Sequence, residues 1–130
     1  MTAESDEARS VGRRLAELLG LRAFDLADGR RAAYHAGAAM ASNYLVTLRA
    51  AARSLLEAAG APPEALDPLI RGVMDSGFEL TGPIERGDWE TVERHLAVIR
   101  AERPELEELY LVLAAATARI AGRDPHEVPA

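Results

Sequence analysis

The stretch that decides the fold is DGRRAAYHAGAAMASNYLVTLRAAARSLLEAA, residues 28–59. It contains no proline, and Gly37 is its only glycine after the first turn. Most other positions carry strong helix formers, above all alanine. At about 1.5 Å per residue, such a helix would be roughly 45 Å long, which exceeds the usual helix of a small domain. The sequence therefore predicts one long central helix with shorter helices packed around it.

The composition limits the classes of protein to consider. A chain of 130 residues forms one domain with its own core. The net charge of -6 and the pI of about 5.1 argue against non-specific binding to nucleic acid, which needs a basic surface. The sequence shows neither an apolar run of membrane-spanning length nor a signal peptide at its acidic, polar N-terminus. We therefore expect a cytoplasmic protein without nucleic-acid or membrane partners.

Two missing residue types exclude several chemistries. The sequence has no cysteine, so disulfides, thiolate nucleophiles and thiolate metal sites cannot form. All fifteen basic residues are arginine, so no lysine can form a Schiff base or act as a general acid. The three histidines have no metal-site spacing, and neither a Walker loop nor GxGxxG occurs. We predict no metal site and no nucleotide site, and the alanine and arginine bias suggests a GC-rich bacterial genome.

The N-terminal part predicts a helix followed by a candidate strand. Helical spacing of leucine and valine covers residues 4–19, with Ser5 as the N-cap and Gly20 as the stop. Residues 21–26, LRAFDL, are the only credible strand. One strand makes no sheet, so it either pairs with a second copy or remains from a larger α/β domain. An extended linker explains the same residues.

The part of the chain after the long helix predicts three further helices. They follow a Gly-Ala-Pro-Pro break and are expected at residues 67–80, 88–103 and 104–122. The loop TGPIERGD, residues 81–88, separates the first two of them. Residues 123–130 are expected to be disordered.

Three polar side chains on the long helix are candidates for chemistry. In a regular helix Ser42 would lie about 20° around the circumference from His35, and Asn43 about 80° from it. Histidine can transfer a proton near neutral pH, and asparagine can orient a ligand carbonyl or hydroxyl. The other interpretation is a core histidine and a helix-packing serine, each with a backbone partner.

The loop at residues 81–88 is a second candidate site. Gly82 permits close backbone approach, Thr81 offers a hydroxyl, and Arg86 can hold an anion. The alternative is a plain connection between helices, with Arg86 paired to a neighbouring carboxylate.

Two motifs resemble a known family. YHAGAAMASNYLV, residues 34–46, and LTGPIERGD, residues 80–88, resemble the C-terminal domain of the bacterial family of domain of unknown function 2520. Members of that family join a Rossmann-like dinucleotide domain to a helical domain similar to the C-terminal domain of 6-phosphogluconate dehydrogenase. The resemblance covers roughly residues 21–122.

The resemblance implies a domain organisation. Residues 1–27 would be the last helix and strand of a Rossmann-like domain, 28–122 the helical C-terminal domain, and 123–130 a disordered tail. Related helical domains form homodimers through the long helix and close the substrate cleft. NAD(P) is expected for full-length members, whereas this chain has no place for it and would be inactive in isolation.

The resemblance also implies roles for residues. Some related dehydrogenases carry a catalytic lysine one turn before an asparagine, and Asn43 matches that asparagine. The lysine position is Ala39 here, so His35 becomes the candidate replacement. His35 and Asn43 are then catalytic, and Ser42, Thr81, Gly82 and Arg86 bind substrate.

The combined prediction is an all-α helical bundle around one long central helix, preceded by a helix-strand remnant. Its expected function is the dimerisation and substrate-side domain of an NAD(P)-dependent oxidoreductase. The alternative is a non-catalytic α-helical module for self-association or partner binding.

Overall fold

The computed structural model describes residues 5–130. All regular secondary structure within this range is helical, and the range contains no strand. The predicted all-α fold is confirmed. Seven α-helices occur in the order α1 Asp6–Leu18, α2 Arg31–Ala39, α3 Leu45–Ala58, α4 Leu66–Asp75, α5 Pro83–Arg86, α6 Trp89–Glu102 and α7 Glu107–Ile120.

The long helical stretch forms close to its predicted limits. A 3-10 turn at Asp28–Arg30 precedes α2, and helical backbone then continues without a break to the end of α3. Between α2 and α3 the backbone adopts a π turn at Met40–Tyr44, which periodicity did not predict. The chain divides into two compact units, Met1–Val46 and Thr47–Ala130, called the first and second unit below.

The first helix begins and ends where the sequence predicts. Ser5 Oγ accepts a hydrogen bond from the Ala8 N–H at 3.1 Å. At the other end Gly20 has a φ of +67°, and the Leu21 N–H donates to the Ala16 carbonyl at 2.8 Å. Glycine adopts this left-handed conformation without strain, so the sequence ends the helix here.

The strand predicted at residues 21–26 does not form. These residues are extended, but a strand requires a ladder of hydrogen bonds to another strand, and residues 5–130 provide none. The segment is held by side chains instead. Arg13 forms an ion pair with Asp25, and the rings of Phe24 and Tyr34 lie 5.6 Å apart. The linker interpretation describes this segment correctly.

The second unit has a small buried core. Val92, Leu96 and Ile99 follow helical spacing along α6 and are fully buried. The buried residues of α7 are alanines, whose small side chains permit a neighbouring helix to approach closely. These alanines are Ala114 and Ala118.

The first unit has no comparable core. None of residues 5–46 is buried. The large apolar side chains of α1 are more than half exposed, at 55% for Val11, 54% for Leu15 and 76% for Leu18.

Two segments near the ends of predicted elements differ from expectation. Helix α4 ends at Asp75, about five residues early, because Gly77 and Phe78 both adopt left-handed backbone conformations. Residues 123–130, predicted to be disordered, contain a 3-10 turn at Pro125–Glu127 whose start is capped by Asp124.

Candidate functional site

The π turn at Met40–Tyr44 contains two of the predicted site residues, Ser42 and Asn43. A π turn is wider than an α-helical turn, and such turns occur frequently at functional sites. A π turn has a different number of residues per turn from an α-helix. The angles calculated for a regular helix between His35 and these two residues therefore do not apply.

The hydroxyl of Ser42 has a partner within its own helix. Its Oγ donates to the Ala38 carbonyl at 2.7 Å, a bond to the residue four positions earlier. This is the backbone partner that the non-catalytic interpretation expected. The hydroxyl oxygen keeps its lone pairs, so it can still accept a hydrogen bond from a ligand. Ser42 and Asn43 are both exposed.

His35 lies in the wall of an open groove in the first unit. The groove has a volume of about 540 Å³ and is formed by the end of α1, the extended segment 21–26 and the start of α2. Phe24 and Tyr34 provide its aromatic surface. Ser42 and Asn43 are not among the residues that line it. The structure thus places His35 beside the extended segment rather than in a common cluster with the other two.

The groove combines apolar walls with cationic side chains. Arg22 and Arg31 line it together with His35. Arg31 Nη2 also donates to Asp28 Oδ1 at 3.0 Å. An apolar groove edged by guanidinium groups can accommodate an organic anion, and the exposed imidazole can donate or accept a proton there.

The second predicted site, the loop at residues 81–88, lies in the second unit. Gly82 has a φ of +107°, which only glycine adopts readily, and Pro83 then begins the short helix α5. Gly87 ends that helix in the left-handed conformation. Thr81 and Arg86 are exposed. The glycines and the proline of this loop are therefore explained by its backbone, whereas the backbone does not require Thr81 or Arg86.

Asp88 connects the loop to α6, as predicted. Its Oδ1 accepts from the Thr91 N–H at 3.1 Å, and its Oδ2 accepts from the Thr91 hydroxyl at 2.8 Å. These hydrogen bonds lower the pKa of Asp88 below the ordinary value of 3.8, with smaller contributions from Arg94 and Arg86. Asp88 therefore stays ionised at the N-terminus of α6, where negative charge is favourable.

One pair of polar side chains was missed at the sequence level. His95 Nδ1 and the Tyr110 hydroxyl share a hydrogen bond of 2.9 Å, and the two rings meet edge to face at 6.1 Å. Partial burial raises the pKa of Tyr110. A signal was available, because the two residues lie on consecutive helices on either side of the turn at Pro104.

Tyr110 also lines an apolar cavity of about 300 Å³ in the second unit. Side chains of α3, α6, α7 and the turn before α7 form the rest of its wall. Apart from the Tyr110 hydroxyl the wall is almost entirely hydrocarbon, with Leu55 and Leu109 as examples. The cavity lacks convergent charged groups, so we do not assign a reaction to it.

Residues 5–130 provide neither of two further classes of site. No group of three or more potential ligand side chains in this range is arranged to hold a metal ion. Likewise, none of the helices described for this range is both long and apolar enough to cross a membrane.

Comparisons with known proteins identify one family. The family model described as Domain of unknown function (DUF2520) matches residues 1–117. No curated protein and no solved structure matches the chain.

Proposed function

The chain belongs to the family of domain of unknown function 2520, and on this premise we propose that it is the dimer-forming, substrate-side helical part of an NAD(P)-dependent oxidoreductase. The family has no established reaction. The proposal therefore depends on the surfaces and side chains described above, and on the resemblance to the C-terminal domains of 6-phosphogluconate dehydrogenases.

The proposal of a dimer is based on the exposure of the apolar side chains of the first unit. Residues 5–46 form two helices, yet none of these residues is buried. Large exposed apolar surfaces on a folded chain usually mark a binding surface. A second copy of the chain supplies the same apolar residues and would cover them symmetrically.

Gly37 supports close approach by the long helix. It lies in the interior of α2 with ordinary helical backbone, and nothing lies within 4 Å of the position that its Cβ would occupy. A glycine inside a helix costs about 1 kcal/mol relative to alanine. Neither backbone conformation nor packing among residues 5–130 explains this cost, whereas contact with a second helix would.

The catalytic part of the proposal assigns roles to the predicted residues. His35 transfers the proton in place of the lysine that Ala39 replaces, and Asn43 orients the reacting group. Ser42 is the proposed substrate contact of the first unit, and Thr81, Gly82 and Arg86 are the proposed ligand contacts of the second unit. The π turn that carries Ser42 and Asn43 supports this assignment, since such turns are common at functional sites.

Residues 5–130 do not contain a Rossmann-type site for the nicotinamide cofactor. Such a site requires a strand, a glycine-rich turn and the N-terminus of a helix, and this range has no strand. We therefore assign NAD(P) to a separate Rossmann-like domain and derive no step of the reaction through it.

Sedimentation velocity across a concentration series tests the dimer. We expect the wild-type chain to form a dimer. We expect Gly37→Leu to raise the dissociation constant of this dimer, because the added side chain blocks the approach of a second helix. Gly72→Leu is the matched control, because Gly72 is also a helical glycine with open space around its Cβ position but lies in α4. A monomer at every concentration, or equal effects of the two variants, would contradict dimerisation through the long helix.

Fusion to a Rossmann-like domain of a family member tests the chemistry. We expect the fusion protein to turn over a nicotinamide cofactor, and we expect His35→Ala to reduce that activity by about 10²-fold or more. Asn43→Ala should also lose activity. His95→Ala is the matched histidine control and should retain turnover. Full activity of both His35→Ala and Asn43→Ala would remove the catalytic assignment.

A specific observation favours the alternative, a non-catalytic self-association module. Ser42 donates to its own helix, and Ala39 occupies the position of the expected lysine. A dimer that responds to Gly37→Leu, combined with no turnover in the fusion protein, would select this function.

A further inference from the structure

The short helix α5 depends on one side chain from outside the loop. A helix of only four residues provides few internal hydrogen bonds, so the carbonyls of residues 82–85 need donors from elsewhere. Backbone N–H groups within the loop satisfy three of them: Arg86 N to the Gly82 carbonyl at 3.3 Å, Asp88 N to Pro83 at 2.8 Å, and Gly87 N to Ile84 at 3.2 Å. The Glu85 carbonyl accepts instead from Arg123 Nε at 2.7 Å.

Arg123 also packs against the residue that ends α5. A Cβ built on Gly87 would lie 2.8 Å from Arg123 Nη1 and 3.0 Å from its guanidinium carbon, so a larger residue at this position would displace the guanidinium group. The φ of +71° is what favours glycine at position 87, and the short distances show that the guanidinium group packs directly against it. The other left-handed glycines whose Cβ positions are described have open space there.

The backbone at Arg123 is itself held in place. Gly122 has a φ of +69° at the end of α7, and the Arg123 N–H donates to the Ala118 carbonyl at 2.9 Å. The family model matches the chain as far as residue 117, so Arg123 lies beyond the matched range. A segment outside the family match thus reaches back to one of the two motifs on which the family resemblance was based.

We propose that Arg123 is a positioning residue for the loop at residues 81–88. Its guanidinium group completes the hydrogen bonding of α5 and holds Glu85 and Gly87 in place. The positions from which Thr81 and Arg86 meet a ligand then depend on the segment after α7. The inference rests on the proposed function only for the role of this loop in substrate contact, since the contacts of Arg123 are independent of it.

Amide hydrogen exchange measured by NMR tests the positioning role in the whole chain. In Arg123→Ala we expect the amides of Gly87 and Asp88 to exchange about tenfold faster, because a charge-assisted hydrogen bond is lost locally. Amides in the core of α6 should keep their rates. Arg119→Ala is the matched control, because Arg119 is an exposed arginine in the last turn of α7. Unchanged exchange at Gly87 and Asp88, or equal acceleration throughout α6, would overturn the proposal.

A second set of variants separates the guanidinium contact from backbone strain. Gly60→Ala measures the effect of a left-handed alanine alone, since Gly60 has the same φ of +71° and open space. We expect Gly87→Ala to accelerate loop exchange more than Gly60→Ala accelerates exchange at its own helix end. In the double variant Gly87→Ala/Arg123→Ala the two effects should be less than additive. Full additivity would contradict a contact between these residues.

The fusion protein then provides a functional measurement. There we expect Arg123→Ala to raise KM several-fold with little change in kcat, because it displaces groups that bind substrate rather than the reacting group. Failure of the exchange experiments would reject the positioning role itself. If Arg123→Ala accelerates exchange as expected but leaves KM unchanged, only the role of the loop in substrate binding is rejected, and with it that part of the proposed function.

Discussion

The two units of this chain are both helical but differ sharply in what their helices bury. In the second unit, α6 and α7 enclose Val92, Leu96 and Ala118 almost completely. In the first unit, α1 has a well-formed cap at each end, yet more than half of Leu15 is exposed. Both units therefore form regular helices, but only the second unit buries apolar side chains of its helices.

The difference shows that the formation of a helix and the stability of the folded helix depend on different interactions. Alanine, arginine and glutamate favour helix locally, and capping residues fix its ends. Most helical stability in proteins nevertheless comes from packing of an apolar face. The second unit has that packing within itself, whereas the apolar face of α1 is available to a partner. Substitutions in the two units test this contrast, beginning with the largest expected effect.

Shortening a leucine should have unequal effects in the two units. Leu96→Ala is expected to reduce the free energy of unfolding by about 2–5 kcal/mol, because a buried leucine leaves a cavity. Leu15→Ala, at an exposed position, should cost less than about 1 kcal/mol at concentrations where the chain is monomeric. Urea unfolding of both variants measures the two values. Equal losses at low concentration would mean that α1 is already packed, and the comparison between the units would fail.

Two serines provide a smaller contrast. Ser54 Oγ accepts from Arg103 Nε at 2.8 Å, so Ser54→Ala removes one of the two acceptors of this guanidinium group and leaves the Glu102 carbonyl as the other. We expect it to cost about 1–2 kcal/mol. Ser42→Ala should be neutral or slightly stabilising, because the Ser42 hydroxyl donates to the backbone of its own helix and alanine is the better helix former. A large loss in Ser42→Ala would show a partner beyond the Ala38 carbonyl.

Variants of two tyrosines test the hydrogen bond between His95 on α6 and Tyr110 on α7. Tyr110→Phe should reduce the free energy of unfolding by about 0.5–1 kcal/mol through loss of the hydrogen bond to His95. Tyr34→Phe, at an exposed position, is the control and should change little. Because the pKa of Tyr110 is raised, its contribution is complete below its ordinary value of 10.0 and declines as the pH rises through the higher folded value. Alkaline unfolding of wild type and Tyr110→Phe should therefore differ in slope, and parallel curves would contradict the assignment.

The smallest expected effect concerns Asp88. Its pKa is lowered in the folded chain, so its stabilising contribution is present above the ordinary value of 3.8 and disappears as the pH falls through the lower folded value. In the Asp88→Asn variant the carboxamide can still cap α6, so this variant should lose little stability at neutral pH and should lack this part of the acid transition. Thermal unfolding between about pH 2 and pH 6 measures both quantities. An acid transition identical to that of wild type would exclude Asp88 as a contributor.

Much of the fold could be predicted from the sequence because the signals are local. The cap at Ser5, the stop at Gly20, the long helical stretch and the cap at Asp88 depend on residues within a few positions of each other. The incorrect strand shows the limit of such signals, since residues 21–26 have strand-like residues without a partner strand.

The candidate site could be predicted less completely. The sequence identifies His35, Asn43 and the loop at residues 81–88 as chemically capable positions. It could not predict the π turn, because helix propensity and periodicity do not distinguish one wider turn from the regular α-helix on either side of it. It also gave no indication that His35 lines a groove with the extended segment.

The amino-acid sequence by itself determined the helical class, the main helix ends and the absence of lysine and cysteine chemistry. These properties follow from composition and from interactions between residues close in the chain. Only the tertiary structure decided that Tyr110 meets His95 and that Arg123 completes α5. The physical reason is that such contacts join residues 15 and 38 positions apart, and chain folding rather than local preference sets their distance.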